Sequence, residues 1–83
     1  MYYVYIIQAG NGTYYIGSTD HVEQRLAQHN QKTFKAWTNR YDDWRVVYQE
    51  ECASRTEAIK RENQIKRMKG GEGFKRLLRS SGS

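Results

Sequence analysis

The feature that most constrains the fold of this chain is its opening segment, in which two β-forming runs flank a glycine-rich turn. The runs Tyr2–Gln8 and Thr13–Ile16 are rich in aromatic and β-branched residues, which suit a pleated, half-buried surface. Between them lie Gly10, Asn11 and Gly12, residues that supply the backbone conformations of tight turns. The segment therefore predicts a β-hairpin.

The length of the turn decides which side chains share a face of the hairpin, because side chains alternate along a strand. A two-residue turn puts Tyr5 and Tyr15 on opposite faces. A three-residue loop with Gly12 at positive φ pairs Ile7 with Tyr15 and puts both tyrosines on one face. Both loops are compatible with the sequence.

The first helix is predicted by a capping pattern, Asp20 followed by Glu23, and runs to about Asn30. At about 100° per residue, Val22, Leu26 and His29 fall within about 60° of one another. Arg25 lies one turn before His29. An arginine and a histidine therefore lie along the edge of the apolar stripe.

A third strand and two further helices are predicted downstream of a polar connecting segment, residues 31–43. Ser54 and Glu57 form a capping box for the second helix, which ends at a Gly-Gly pair. In chain order, the three predicted elements are a strand at Trp44–Glu50, a helix from Arg55 to about Lys69, and a short helix at Phe74–Arg79.

The size of the chain, 83 residues, allows one domain, which we place at residues 1–79 with a flexible tail at 80–83. Its one cysteine, Cys52, excludes an internal disulfide and a thiolate metal cluster. We interpret Cys52 as a small buried hydrophobe. No apolar run approaches membrane-spanning length and no signal peptide is evident. A cytoplasmic protein is the simplest expectation.

The net charge of +5 is concentrated in the last third of the chain. Residues 55–79 hold nine of the fourteen Lys and Arg residues and three of the nine acidic ones, a balance of +6, whereas residues 1–54 have a balance of −1. This asymmetry favours a polyanion-binding surface. A solvated helix face is the alternative.

Glu62 lies where the second helix is expected to pack, on the line defined by Ala58, Ile65 and Lys69. A carboxylate on a packed stripe costs free energy unless it is paired or bound to a cation. One interpretation is a structural ion pair with Arg61, Arg55 or Lys66. The other is a ligand for Mg²⁺, which keeps most of its waters and needs few protein ligands.

A site that cleaves phosphodiesters needs a group to activate water, a cation to stabilise the developing charge, and a metal to hold phosphate oxygens. The hairpin phenols, Arg25, His29 and Glu62 supply these functions. The chain has no glycine-rich loop of the P-loop type, which argues against nucleotide hydrolysis.

The same residues occur in motifs that resemble those of the GIY-YIG nuclease superfamily. The run "YVY" at residues 3–5 and "YIG" at residues 15–17 resemble the paired motif that names it, without the named glycine of the first half. "VEQRLAQHN" is similar to its Arg-x-x-x-His helix, and "SRTEAIKRENQIKRMK" to its metal-glutamate helix. The resemblance covers Tyr2 to about Leu78 and is closest to the short, stand-alone bacterial members.

This resemblance implies an α+β fold, a three-stranded antiparallel sheet flanked by helices, with one Mg²⁺ or Mn²⁺ ion on Glu62. It implies that Tyr5 deprotonates or orients the attacking water and that Tyr15 hydrogen-bonds the phosphate or that water. Arg25 would stabilise negative charge, and His29 would assist proton transfer or orientation. The pKa of a free phenol is near 10, and a nearby cation would lower it.

The function that these features favour is metal-dependent DNA endonuclease activity on single-stranded or branched DNA, with little sequence preference, since no groove-entering element is evident. Trp37 either stacks on an unpaired base or covers a small core. The alternatives are a non-catalytic nucleic-acid-binding module on the same scaffold and a structural domain that docks an acidic partner. The expected DNA contacts are Trp37, Lys60, Lys66, Arg67 and Lys69.

The endonuclease hypothesis also selects between the two hairpin turns. Both phenols reach one phosphate only from a shared face, so we predict the three-residue loop. We further expect Arg25 and His29 to point across that face toward Glu62.

Overall fold

A three-stranded sheet with helices on both faces forms the fold of residues 1–31 and 43–81, the parts of the chain that the computed structural model describes. The central strand β1 pairs antiparallel with both of its neighbours, in the order β2-β1-β3. The predicted α+β fold is confirmed. In chain order the elements are β1 (Tyr2–Gln8), β2 (Tyr14–Thr19), α1 (Val22–Gln31), β3 (Arg45–Cys52), α2 (Arg55–Met68) and α3 (Glu72–Ser81).

The hairpin between β1 and β2 has the three-residue loop. Ile7 pairs with Tyr15, and the Ala9 N–H donates to the Thr13 carbonyl at 2.9 Å. Gly12 has a φ of +93°, which a residue with a Cβ rarely adopts. The predicted register and the predicted positive φ are both confirmed.

Each face of the sheet buries its own apolar cluster. The face that carries Tyr5 and Tyr15, called the tyrosine face below, is covered by α1 through Val22 and Leu26. The opposite face, called the aliphatic face, is covered by α2 and α3. The buried residues of the aliphatic cluster are Val4, Ile6, Ile16, Ala58, Ile65 and Phe74.

Helix α1 begins one residue later than predicted. The first helical hydrogen bond runs from the Arg25 N–H to the His21 carbonyl, so His21 and not Asp20 is the cap. The Asp20 carboxylate instead lies 3.0 Å from His21 Nδ1, and Thr19 Oγ1 accepts the His21 N–H at 3.1 Å. The capping prediction fails because Asp20 finds a partner outside the helix.

Helix α2 begins as predicted, because Ser54 Oγ accepts the Glu57 N–H at 3.2 Å. It ends beside Gly70, which has a φ of +89°. Helix α3 continues to Ser81, two residues into the stretch expected to be a tail. Cys52 is half-buried against the aliphatic cluster. Within the described ranges, no helix has the length and apolar character needed to cross a membrane.

Candidate active site

A buried cluster of polar aromatic side chains lies between the tyrosine face and α1. Tyr5, on the central strand, is 2% exposed, and His29, near the end of α1, is 1% exposed. Tyr5 Oη lies 3.3 Å from His29 Nε2. The Tyr15 ring centroid is 4.6 Å from that of His29 and 6.1 Å from that of Tyr5. The hairpin register thus brings both phenols and the imidazole together on one face.

Gly17 makes room for this cluster. A Cβ at Gly17 would lie 2.8 Å from Tyr5 Oη, 2.9 Å from Tyr5 Cζ and 3.1 Å from Tyr15 Cε1. Gly17 pairs with Tyr5 across the two strands, so the phenol lies directly over the glycine. The sequence motif contained this glycine, but its role follows only from the pairing.

The electrostatic surroundings keep Tyr5 a neutral phenol. Burial raises the pKa of Tyr5 above its usual value, and Tyr15 and the charge of Glu62 raise it further. The charge of Arg25 lowers it, as expected for a nearby cation, but the other effects outweigh this one. Tyr5 can therefore donate a hydrogen bond and accept one, but its deprotonated form is disfavoured.

His29 is also electrically neutral near pH 7. Burial lowers the pKa of His29, and the positive charge of Arg25 lowers it further. A neutral imidazole has one nitrogen that can accept a proton. Tyr5 and His29 therefore form a neutral pair. A proton can pass from Tyr5 Oη to His29 Nε2.

Arg25 lies at the exposed edge of the cluster, on α1. Its Nη1 donates to Gln28 Oε1 at 3.3 Å. Because its charge acts on both Tyr5 and His29, the guanidinium is close to the cluster while its side chain remains open to solvent. A phosphate approaching the two phenols would meet this positive charge.

A fourth aromatic residue, Trp44, completes the cluster and was not among the predicted site residues. Trp44 is 3% exposed, and its ring centroid lies 6.1 Å from that of His29. Asn30 holds the Trp44 backbone from both sides: Oδ1 accepts the Trp44 N–H at 2.7 Å and Nδ2 donates to its carbonyl at 3.0 Å. Asn30 directly follows His29, so this clamp fixes the wall of the histidine site.

Glu62 approaches the site from the opposite side of the sheet. Ser18 Oγ donates to Glu62 Oε1 at 2.8 Å, and Ser18 alternates onto the same face as Ile16, the aliphatic face. The carboxylate therefore reaches the edge strand β2 from α2, on the aliphatic face. We had expected Arg25 and His29 to point toward Glu62 across the tyrosine face, and this expectation is wrong. Its charge still acts on Tyr5.

The ion-pair interpretation of Glu62 applies in this structure. Lys66 Nζ lies 2.7 Å from Glu62 Oε2, one helical turn away. The Glu62 side chain is 17% exposed and that of Lys66 is 51% exposed. The carboxylate is thus satisfied at both oxygens, by the Ser18 hydroxyl and by a half-exposed ammonium.

Glu62 suits a hydrated Mg²⁺ or Mn²⁺ ion better than a fully coordinated metal. Across residues 1–31 and 43–81, no three His, Cys, Asp or Glu side chains converge to hold a metal. Mg²⁺ accepts one carboxylate while keeping several waters, and a carboxylate oxygen retains a lone pair beside a hydrogen bond. The donor set therefore fits one water-rich ion on Glu62.

Two of the predicted DNA-binding residues lie beside the edge strand β2. Lys66 and Lys69 border a cavity of about 220 Å³ together with residues of β2, Tyr15 among them. Lys60 and Arg67 are exposed on α2, at least about 100° around the helix from Lys66. Trp37 lies outside the described residues.

Comparison with known proteins identifies the family of the chain. Residues 1–75 match the family model described as the GIY-YIG catalytic domain. A UPF0213 protein from Desulfotalea psychrophila is 38% identical over 68 residues, which cover 81% of this chain and 62% of that protein. A UPF0213 protein from Halobacterium salinarum is 35% identical over 68 residues, which cover 82% of this chain and 88% of that protein.

A solved structure has the same fold. The solution NMR structure of a UPF0213 protein from Bacillus halodurans aligns with a TM-score of 0.62 and 26% identity, over 100% of this chain and 88% of that one. The matched region of the Desulfotalea relative is less than two thirds of its length. The family model spans both strands of the hairpin, α1, β3 and α2, and the chain therefore belongs to the GIY-YIG catalytic domain family.

Proposed function

We propose that this chain is a metal-dependent endonuclease that hydrolyses phosphodiester bonds of single-stranded or branched DNA with little sequence preference. Membership of the GIY-YIG family places the chain in a nuclease superfamily. The observation that most supports catalysis by this chain is the buried contact of 3.3 Å between Tyr5 and His29. The charges of Arg25 and Glu62 both act on the pKa of Tyr5.

In this proposal Tyr5 and His29 act as a proton relay. Tyr5 Oη accepts a proton from the attacking water while the phenol proton passes to His29 Nε2. The relay does not require Tyr5 to be deprotonated before the substrate binds. It is therefore consistent with the raised pKa of Tyr5 and the lowered pKa of His29. Transfer between groups already in hydrogen-bond contact is the geometry that general base catalysis requires.

In this proposal, groups at the edge of the cluster stabilise the negative charge that develops on the phosphate. Arg25 presents its guanidinium to the non-bridging phosphate oxygens, where negative charge develops, and the hydroxyl of Tyr15 donates a hydrogen bond to the same group. Glu62 would hold one Mg²⁺ or Mn²⁺ ion, which when bound supplies Lewis-acid stabilisation of the phosphate.

The basic residues of α2 support a sequence-independent mode of DNA binding. Lys66 and Lys69 border the cavity beside Tyr15, where they can contact backbone phosphates. Such contacts position the nucleic acid but carry no base information. Lys60 and Arg67 extend the positive surface along the exposed side of the helix.

The test is a cleavage assay on labelled single-stranded, duplex and forked DNA, with and without Mg²⁺ or Mn²⁺. We expect metal-dependent cleavage of the single-stranded and forked substrates. Tyr5→Phe and Arg25→Ala should each lower the cleavage rate by orders of magnitude with little change in DNA affinity, because both act on the transition state. Tyr3→Phe is the matched control and should be nearly silent. DNA binding without cleavage of any substrate would contradict the enzymatic proposal.

A non-catalytic nucleic-acid-binding module is the second candidate, favoured by the ion pair that satisfies Glu62 without a metal. Because Lys66 is half exposed, such a pair contributes at most about 1 kcal/mol to stability. Glu62→Gln distinguishes the candidates. If Glu62 is catalytic, the variant loses cleavage while its free energy of unfolding is nearly unchanged. Wild-type cleavage rates in Glu62→Gln would remove the carboxylate from the mechanism.

A further inference from the structure

The carboxylate of Glu62 has two partners, one on the sheet and one at the end of a long side chain. Ser18 belongs to β2, and its hydroxyl donates to Oε1 at 2.8 Å. Lys66 reaches Oε2 at 2.7 Å from one turn along α2, with half of its side chain exposed. The sheet fixes the first partner. The second is on a long, flexible stem and can leave the carboxylate without disturbing the core.

From this arrangement, and resting on the proposed function, we propose that Lys66 is a built-in counterion that a divalent cation displaces from Glu62. The displaced ammonium then binds a DNA phosphate in the cavity beside Tyr15. An ammonium and a metal ion on one carboxylate repel each other, since both are positive. Binding of the cation therefore favours the release of Lys66.

The released ammonium has a suitable destination within reach. Lys66 already borders the cavity of about 220 Å³, which Tyr14, Tyr15 and Lys69 also line. A second ammonium there, from Lys69, adds positive charge. Two cations at the edge of β2 suit the phosphate of a nucleotide that flanks the one being cleaved.

Lys69 offers a matched comparison, because it borders the same cavity without pairing to Glu62 in the structure. Its Nζ donates to the backbone carbonyl of Tyr14 at 3.3 Å, which is a neutral acceptor. If Lys66 links the two ligands, metal binding and DNA binding strengthen each other by the same factor, as thermodynamic linkage requires. Lys69 should contribute to DNA binding alone.

The first experiment measures Mn²⁺ binding by isothermal titration calorimetry in the absence of DNA. It compares wild type with Lys66→Met, Lys66→Arg, Lys69→Met and Glu62→Gln, with thermal unfolding as a check that each protein is folded. We expect Lys66→Met to bind Mn²⁺ at least about fivefold more tightly, the lower end of typical coupling. Lys66→Arg, which keeps the charge, and Lys69→Met should bind it like wild type.

The second experiment measures the affinity for a single-stranded oligonucleotide with and without Mn²⁺, in a Tyr5→Phe background that suppresses cleavage. Mn²⁺ should tighten DNA binding more when Lys66 is present than when it is Met, because an ion on Glu62 contacts the phosphate in both proteins. Glu62-dependent Mn²⁺ binding that is no tighter in Lys66→Met would overturn the inference and leave the proposed function standing. If Mn²⁺ binding does not depend on Glu62 in any of these proteins, both are overturned.

Discussion

Replacement of Gly17 by alanine tests whether the tyrosine cluster is as tightly fitted as the structure indicates. The new methyl group would lie 2.8 Å from Tyr5 Oη and 2.9 Å from Tyr5 Cζ, inside van der Waals contact distance. Tyr5 is 2% exposed, so its ring has no open space to enter. The phenol must shift, and its 3.3 Å contact with His29 is the first interaction to be lost.

The expected magnitude is the sum of two opposing effects. Overpacking of a core costs about 1–3 kcal/mol, while replacing glycine by alanine within a strand recovers about 0.5–1 kcal/mol. The net loss in the free energy of unfolding is therefore about 1 kcal/mol, within a range of about 0–2.5 kcal/mol. At about 4–8 °C per kcal/mol for a domain of this size, the midpoint of thermal unfolding should fall measurably.

Urea denaturation and the DNA cleavage assay together measure the two consequences. Gly73→Ala is the matched control, because a Cβ there meets only Met68, at an ordinary 3.5 Å, and should be neutral or stabilising. Tyr5→Phe removes the closest clashing atom, so Gly17→Ala should cost less stability in that background than in wild type. Equal costs in the two backgrounds, with an unchanged cleavage rate, would refute the reasoning.

Three further predictions concern the histidine, its neighbour and the basic helix. Because burial lowers the pKa of His29, the unfolded chain binds the proton more readily, and the free energy of unfolding should fall as the pH falls below about 6.5; urea denaturation should show a smaller fall in His29→Gln. Asn30→Ala removes the side-chain acceptor of a part-buried backbone N–H and should lower the free energy of unfolding by about 1 kcal/mol, measured in the same way. Neutralising Lys66, Arg67 and Lys69 should weaken binding to all DNA sequences alike and reduce the slope of log K against log salt by about 2, at about 0.7 per phosphate contact.

The hairpin could be predicted from the sequence because its information is local. Two β-forming runs and a glycine-rich turn gave the strands, but the sequence allowed two registers. The choice of the three-residue loop came from requiring Tyr5 and Tyr15 to act on one phosphate. Gly12 at positive φ and the Ile7–Tyr15 pairing bear it out. The cap of α1 was misplaced because Asp20 has a competing local partner in His21.

The surroundings of Glu62 could not be predicted in the same way. Helical spacing showed that a carboxylate falls on the packed stripe of α2, and Lys66 was one of its possible partners. Its contact with Ser18 joins residues 44 apart in the chain, and only the tertiary fold brings them together. For the same reason no local pattern revealed that the carboxylate reaches the edge of β2 from the aliphatic face.

The clamp between Asn30 and Trp44 has a consequence for how this scaffold tolerates insertions. These two residues close a span of 14 positions by side-chain hydrogen bonds to backbone, so the ends of the intervening segment are fixed independently of its length. Lengthening a segment between fixed ends costs only about 0.6 kcal/mol per doubling of its length. Segments of different length can therefore be grafted between the clamped residues while the histidine wall stays in place.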